Sequence, residues 1–440
     1  MAGIFKAYDI RGVYGQTLTD DLAFRIGRAF ATYLPVQRVV VGRDMRPHSA
    51  PIFEALTRGL TMQGVSVSDL GVCSTPMCYF ADGFLKAGAA VMITASHNPG
   101  EWNGFKLCRE QAIPISGATG IAEIERIVRD NAFATAAARP GIVTRCDVRA
   151  EYAAHIRARA DLARPVRIAA DFANAMGIVE HRALEGLLET EGLFDTLDGT
   201  FPNHEANPLK TETLAALRER VRAGGFDFGV AYDGDADRVG FVDERGEVVP
   251  MDAITALIAR ALLARHPGSA IYYDLRSSWA VKEVINECGG RPMMSRVGHA
   301  FIKQQMRESD AIFAGELSGH YYFKDNYYAE SSSLAVLYVA HLVSRSPVPL
   351  SEMIRPLRRY FASGEINSTV RDPNAVFDRL LKAYPNGNVI RLDGLSVEFP
   401  DWWFNVRSSN TEPLIRLNLE AKTREEMARR RDELLALIRA

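Results

Sequence analysis

The sequence has no cysteine pair at CxxC spacing and no even disulfide framework; its five cysteines, Cys73, Cys78, Cys108, Cys146 and Cys288, are scattered. Reduced thiols are expected, and none of them reads as a metal ligand. No segment reaches the roughly 18 uninterrupted apolar residues that a membrane span requires. The longest candidates, AITALIARALLA and SSSLAVLYVAHLV, are broken by Arg260 and His341. The opening MAGIFKAYDIRG lacks a long apolar region and a cleavage site, so a secretory route is not expected and a cytoplasmic location is. Blocks of Lys and Arg are also missing: the formal net charge is −2, and the terminal ARRRDELLALIRA mixes both signs, as a solvated helix face does. Neither nucleic acid nor a membrane is an expected partner.

What is present is the composition of an ordinary globular protein, 47% hydrophobic and 24% charged. At 440 residues the chain exceeds the roughly 250–300 at which single cores stop growing, so several domains are expected. Helical and strand-like patterns alternate from the start. LTDDLAFRIGRAFATYL is amphipathic, QRVVVGRD strand-like, APIFEALTRGLTMQG helical and VSVSDLG strand-like, followed by TPMCYFADGFLKAG and AAVMITASH. Near-continuous apolar strands alternating with helices predict mainly parallel sheets covered on both faces. The same grammar restarts at RPVRIAADFANAMG, with a helix predicted over HRALEGLLETEG and a strand in FDFGVAYDGDADR. It restarts again at ITALIARALLARH, SAIYYDL, WAVKEVINECGG and RPMMSRVG. After about residue 362 strands dominate, closed by a final helix. The expected organisation is three consecutive α/β domains, 1–147, 148–250 and 251–362, and an α+β domain over 363–440.

Four segments carry candidate chemistry. In VMITASHNPGEWNGFKL (91–107) an apolar strand ends on Ser96, His97, Asn98 and Pro99, with Lys106 to follow. In open α/β sheets ligands sit beyond the carboxyl ends of strands, where Ser96 lies. In AYDGDADRVGFVDERG (231–246), Asp233, Asp235 and Asp237 offer oxygen ligands at alternate positions, suited to a hard cation such as Mg²⁺. A calcium-hand reading places Asp233, Asp235, Asp237 and Glu244 at loop positions one, three, five and twelve. It fails where the sharp turn wants Gly, because Arg238 stands there, and because strands flank the loop. Arg238 beside the carboxylates suits a phosphate held at the metal. AGELSGHYYF (314–323) sets Glu316, Ser318 and His320 among small residues. FNVRSSNTEPLIR (404–416) gathers Arg407, Ser408, Ser409, Asn410 and Thr411 between two strands, a guanidinium beside hydroxyl and amide donors that can cradle a phosphate.

In order and spacing these segments, with KAYDIRG (6–12) and GRDMRPHS, resemble the α-D-phosphohexomutase superfamily, its phosphomannomutase and phosphoglucomutase branch, over essentially the whole chain. The resemblance implies four domains around a cleft in which a phosphoserine donates its phosphoryl group to a hexose monophosphate. A hexose 1,6-bisphosphate then reorients and returns the other phosphate. By that resemblance Ser96 is the phosphoserine, and Asp233, Asp235 and Asp237 hold one Mg²⁺ per chain together with Ser96. Arg11, His97 and Lys106 become the acid/base and charge-stabilising groups. His97 has the ordinary pKa nearest neutrality, and Lys106 could be tuned downward by neighbouring cations; both stay open as the base. Tyr8, Arg238, Arg276, His299, Glu316, Ser318, His320, Arg407, Ser409, Asn410 and Thr411 become substrate-binding residues.

Two positions depart from the family pattern. Arg276, in YYDLRSS, stands where a lysine is common, which keeps the charge and loses the proton-donating capacity. Leu317 stands where many hexosamine mutases carry Gln, and an apolar residue there sides with neutral hexoses. The expected substrates are mannose and glucose phosphates, with hexose 1,6-bisphosphate as activator and a monomer or weak dimer as the working form. The alternatives are a phosphoglucosamine mutase and a phosphoserine-dependent phosphohydrolase.

Overall fold

The computed structural model describes residues 3–408 and 414–440. Its first sheet runs, edge to edge, through Ile10–Val13, Trp102–Arg109, Ala89–Ile93, Arg38–Arg43, Ser66–Val72 and Val143–Arg145. The last four of these are parallel; Trp102–Arg109 is antiparallel to both of its main neighbours. Successive side chains of a strand point to opposite faces, and both faces here are apolar. Val39, Val41, Val91 and Ile93 pack on one side with Ile26, Phe30 and Leu56 of two helices. Val40, Ala90 and Met92 pack on the other with Met77 and Phe80 of helix Thr75–Leu85.

The helices of the first side, Asp20–Tyr33 and Ser49–Met62, approach closely because each carries a glycine at the contact. A Cβ on Gly27 would stand 2.2 Å from the carbonyl oxygen of Leu56, and one on Gly59 2.2 Å from that of Phe24. The first helix starts where Thr19 accepts a hydrogen bond from the Leu22 amide.

The second sheet orders Val248–Val249, Val239–Asp243, Phe228–Tyr232, Arg167–Asp171 and Glu189–Leu193, the last three parallel. The helix expected over HRALEGLLETEG is not formed. Helix Gly177–His181 passes into a single 3-10 turn, Arg182–Leu184, and Gly186 at φ +78° breaks it. The residues beyond become the edge strand Glu189–Leu193, whose backbone groups pair with Arg167–Asp171. Sheet pairing overrides the helical propensity of a leucine- and glutamate-rich segment.

The third sheet places Arg291–Ser295, Ala270–Asp274 and Phe313–Gly315 in parallel, then Tyr321–Phe323 and Ala329–Glu330 antiparallel. The fourth is antiparallel throughout, centred on Trp402–Ser408 and Leu414–Ala421, with helices Pro373–Ala383 and Arg424–Arg439 packed against it. One continuous hydrophobic cluster runs through the first three units, joining Phe80, Tyr152, Tyr232, Phe313 and Leu334. The fourth unit has its own core around Leu380, Phe404, Leu417 and Leu434. Among the described residues no helix is long and apolar enough to cross a membrane.

The glycine contact gives a direct test of the first layer. Gly59→Val is expected to destabilise the chain by about 1–3 kcal/mol or more, because the branched side chain has only backbone to displace. A thermal denaturation curve indistinguishable from that of the parent would contradict the close helix approach.

Candidate active site

Each chemical segment follows the carboxyl end of a strand. Ser96 follows Ala89–Ile93, Asp233 follows Phe228–Tyr232, Glu316 follows Phe313–Gly315 and Arg276 follows Ala270–Asp274. Three sheets therefore deliver loops to one place.

The Ser96 loop is tightly held. Ser96 is buried with φ +52°, a left-handed conformation uncommon for a residue with a side chain. Its amide donates to Thr94 Oγ1 at 2.9 Å. Its hydroxyl donates to Asp233 Oδ2 at 2.8 Å and lies 3.2 Å from His97 Nδ1. Two guanidinium groups hold the surrounding backbone. Arg46, wholly buried and paired with Asp44, donates to the four carbonyl oxygens of Ser96, Asn98, Pro99 and Trp102. Arg11 is paired with Asp9 and donates to the carbonyl of Ala95 at 3.2 Å and to Asn98 Oδ1 at 2.6 Å. Sequence reading assigned no role to Arg46; the only signal was its place in GRDMRPHS, since its partners lie about fifty residues away.

Beneath the serine lie the three carboxylates. Asp233, Asp235 and Asp237 are buried and each offers an oxygen within 4.8 Å of the others. The loop reaches the serine because of Gly234: a Cβ there would stand 2.1 Å from the carbonyl oxygen of Ser96. Lys106 donates to Asp235 Oδ2 at 2.6 Å and to Asp237 Oδ2. Thr75 donates its hydroxyl to Asp235 Oδ2 and its amide to the Asp235 carbonyl. Among the described residues Asp235 Oδ1 and Asp237 Oδ1 are buried without a hydrogen bond, the latter facing His320 Nε2 at 3.4 Å. Buried carboxylate oxygens in this state are what a hard cation requires, so the donor set fits a divalent metal.

Electrostatics follow from this packing. Burial, together with Asp235 and Asp237, raises the pKa of Asp233 well above the usual carboxylate range. Burial alone would raise Asp237 as well, but Lys106, His320 and Arg238 outweigh it and hold that carboxyl well below the range. Lys106 is not tuned downward as the sequence suggested. Burial lowers its pKa, yet Asp235 and Asp237 outweigh burial and push it up. His97 is depressed well below the imidazole range, first by Arg238 and then by burial and Arg11.

The remaining expected residues line a cleft of about 440 Å³ above this cluster, among them Tyr8, Arg11, Arg238, Arg276, His299 and Arg407. On the wall formed by residues 314–323, Glu316 accepts from the Gly298 amide at 3.1 Å and from the Tyr322 hydroxyl. Ser318 Oγ lies 2.8 Å from His320 Nδ1. Burial would raise the Glu316 carboxyl, but His320, Tyr322 and Arg276 hold it at about 2. Against the lowering effect of burial, Asp237 and Glu316 raise His320 to about 9. On another wall Arg276 is clamped on Asp274, at 2.7 Å and 3.1 Å. Arg407 donates to Glu365 Oε2 at 3.0 Å, Arg416 reaches Glu365 Oε1 at 3.6 Å, and Arg276 comes within 4.0 Å of the same carboxylate. Among the described residues the Nε groups of Arg407 and Arg416 are buried without a hydrogen-bond partner. Three guanidinium groups thus converge on one carboxylate, an arrangement able to take a phosphate. Glu365 and Arg416 were not anticipated. Ser409, Asn410 and Thr411 lie outside the described residues.

Comparison with known proteins places the chain in a family. Four family models, described as phosphoglucomutase/phosphomannomutase alpha/beta/alpha domains I, II and III and the C-terminal domain, match residues 2–135, 150–246, 250–360 and 365–437. A phosphomannomutase of Salmonella montevideo is 41% identical over 432 residues, covering 95% of this chain and 94% of that protein. A Xanthomonas campestris protein named for phosphohexose mutases is 40% identical, with 95% of each chain covered. The crystal structure of a phosphoglucomutase/phosphomannomutase family protein from Burkholderia thailandensis superposes with a TM-score of 0.91 at 33% identity, covering 99% of this chain and 96% of that one.

Arg46 gives the test of the loop. Arg46→Met leaves Asp44 as an unpaired buried charge and strips four carbonyls of their donor, so a loss of about 3–5 kcal/mol is expected. Arg46→Lys should not restore it, because one ammonium cannot span those acceptors. Urea unfolding measures both, and full recovery by lysine would show that charge alone is needed.

Proposed function

Because the chain belongs to the phosphoglucomutase/phosphomannomutase family and is a phosphohexomutase, we propose that it interconverts mannose 6-phosphate and mannose 1-phosphate, and the corresponding glucose phosphates, through a phosphoserine at Ser96. The observation that carries this reading is the presence of two anion-binding sets in one cleft. One is the Ser96 loop with its carboxylates, Lys106, Arg11 and His97. The other is the arginine set around Glu365, contributed by the third and fourth units. A phosphohydrolase needs only the first. A mutase must also hold the phosphate that is not reacting, in either orientation of the sugar.

In this reading the phosphoryl group on Ser96 Oγ passes to the free hydroxyl of a hexose monophosphate. The resulting hexose 1,6-bisphosphate turns over in the cleft, and its other phosphoryl group returns to Ser96 Oγ. The hydroxyl proton passes to a basic group of the site; His97 is the side chain in contact with Ser96 Oγ. Lys106 and Arg11 face the transferring oxygens as fixed cations. Asp233, Asp235 and Asp237 would hold Mg²⁺. When bound, that ion polarises the phosphoryl group and offsets its charge. Glu316 and Ser318 are assigned to the sugar hydroxyls and Arg407 to the distal phosphate. Leu317 beside them offers no amide, which favours neutral hexoses over hexosamines. Cytoplasmic location and hexose 1,6-bisphosphate activation belong to the same proposal.

Coupled assays with mannose 1-phosphate, glucose 1-phosphate and glucosamine 1-phosphate test the reading directly. Both hexose phosphates should turn over and the glucosamine phosphate poorly; a clear preference for the latter would overturn the assignment. Ser96→Ala should lower kcat by several orders of magnitude with the fold intact, and a chelator should abolish turnover until Mg²⁺ is restored. Near-normal turnover of the alanine variant with a hexose bisphosphate supplied would rule out the phosphoserine.

Arg407 is expected to behave differently. As a shared anchor away from the reacting group, it should act mainly on KM. Arg407→Ala should raise KM for hexose 1-phosphate and hexose 6-phosphate by similar factors, with a smaller fall in kcat. Kinetics in both directions check this, and impairment toward one substrate only would remove Arg407 as the common anchor.

A further inference from the structure

Behind His299 lies a buried ion pair that the reaction scheme leaves without a role. Lys303 and His299 share helix His299–Ser309 four residues apart, and so share a face of it. Lys303 has no exposed surface, and its ammonium lies 2.5 Å from Glu330 Oε2, a carboxylate that is itself buried. The ammonium also stands over the ring of Tyr79, 4.0 Å from its centroid, on helix Thr75–Leu85 of the first unit. The second oxygen of the same carboxylate, Glu330 Oε1, faces Nδ1 of His299 at 3.7 Å. That Nδ1 is buried and has no hydrogen-bond partner among the described residues. The His299 ring lines the cleft and packs edge-on against Tyr8, with centroids 5.8 Å apart.

A buried ion pair is a poor device for stability alone. Desolvating both charges costs several kcal/mol each, and apolar replacements of similar volume are often neutral or stabilising. The placement of Glu330 offers a reason for keeping it. Which imidazole nitrogen carries the proton is set by the partner of the other nitrogen, and Glu330 is the carboxylate that faces Nδ1. Lys303 fixes that carboxylate from the opposite oxygen.

Resting on the mutase reading above, we propose that Glu330, clamped by Lys303, is a positioning residue for phosphoryl transfer: it takes the Nδ1–H of His299 and so presents Nε2 to the cleft as an acceptor for a sugar hydroxyl. The hydroxyl is thereby aligned with the phosphoryl group on Ser96, and the ion pair acts only through His299.

Three variants test this: Lys303→Met with Glu330→Leu, which leaves no acceptor facing Nδ1, His299→Ala, and all three changes together. The double variant removes both buried charges at once, so its melting temperature should stay near that of the parent. Its kcat should fall roughly 10–100-fold, the loss common when the outer partner of a functional histidine is removed, with KM for hexose phosphates within about threefold. Added to His299→Ala, the double change should cost no further activity, because its effect passes through the ring. Nitrogen-15 spectra of labelled histidine should show the Nδ1–H tautomer of His299 in the parent and its loss in the double variant. Retained kcat, a loss that adds to that of His299→Ala, or an unchanged tautomer would each overturn the proposal. The spectrum needs no turnover, so a parent inactive toward hexose phosphates but carrying the Nδ1–H tautomer would sink the mutase reading and leave the positioning geometry standing. Should the double variant fail to fold, Glu330→Asp, which keeps the charge and draws it back from His299, is read in the same way.

Discussion

The structure depends on a buried meeting of charges between two units. Lys106, from a strand of the first sheet, lies between Asp235 and Asp237, from the loop after a strand of the second. Neither partner is tolerable alone in that position, since an unpaired buried charge costs several kcal/mol. The two units are therefore committed to one relative placement. Thr75 repeats the commitment with a side-chain and a backbone hydrogen bond to Asp235, and Gly234 permits it by leaving room for the Ser96 carbonyl. Ser96 thus stands at an interface between units, and its rigidity follows from how that interface is closed.

The first three units add a shared apolar interior, so they behave as one body in packing terms. The fourth attaches chiefly through polar contacts. Glu420 accepts from the Trp279 amide, Glu398 from the Trp279 indole and from Lys282, and Glu365 gathers Arg276, Arg407 and Arg416. Interfaces of that kind yield more easily than a continuous core. The arrangement suits the proposed mutase, which would need an exact reacting centre and a more yielding wall for the distal phosphate. Glu365 occupies that wall with a negative charge, so in the proposed reading a phosphate entering there would exchange partners with an internal carboxylate.

Much of this was legible along the chain. Alternation of helices with apolar strands announced mainly parallel sheets, and sharp punctuation at Ser96, Asp233, Glu316 and Arg407 marked segments that the structure brings to one cleft. Local signals failed where pairing outweighed them. HRALEGLLETEG has a helical composition, yet its second half completes the edge of a sheet, because Gly186 turns the chain and Arg167–Asp171 offers a free row of backbone partners. The downward tuning expected for Lys106 failed for a related reason: its nearest neighbours are the carboxylates of another unit, invisible from the residues beside it.

The sequence by itself determined the residue types and the order in which the chemical loops arrive, because each follows a strand whose apolar pattern is local. Only the tertiary structure decided which charges meet. Arg46 closes on four carbonyls about fifty residues away, Glu365 binds arginines from three separate elements, and Glu330, on a strand, meets His299 and Lys303 of a helix about thirty residues earlier. Such partnerships carry no periodicity, since the free energy that selects them arises when distant groups leave water together. They are fixed by how four sheets close around one cleft.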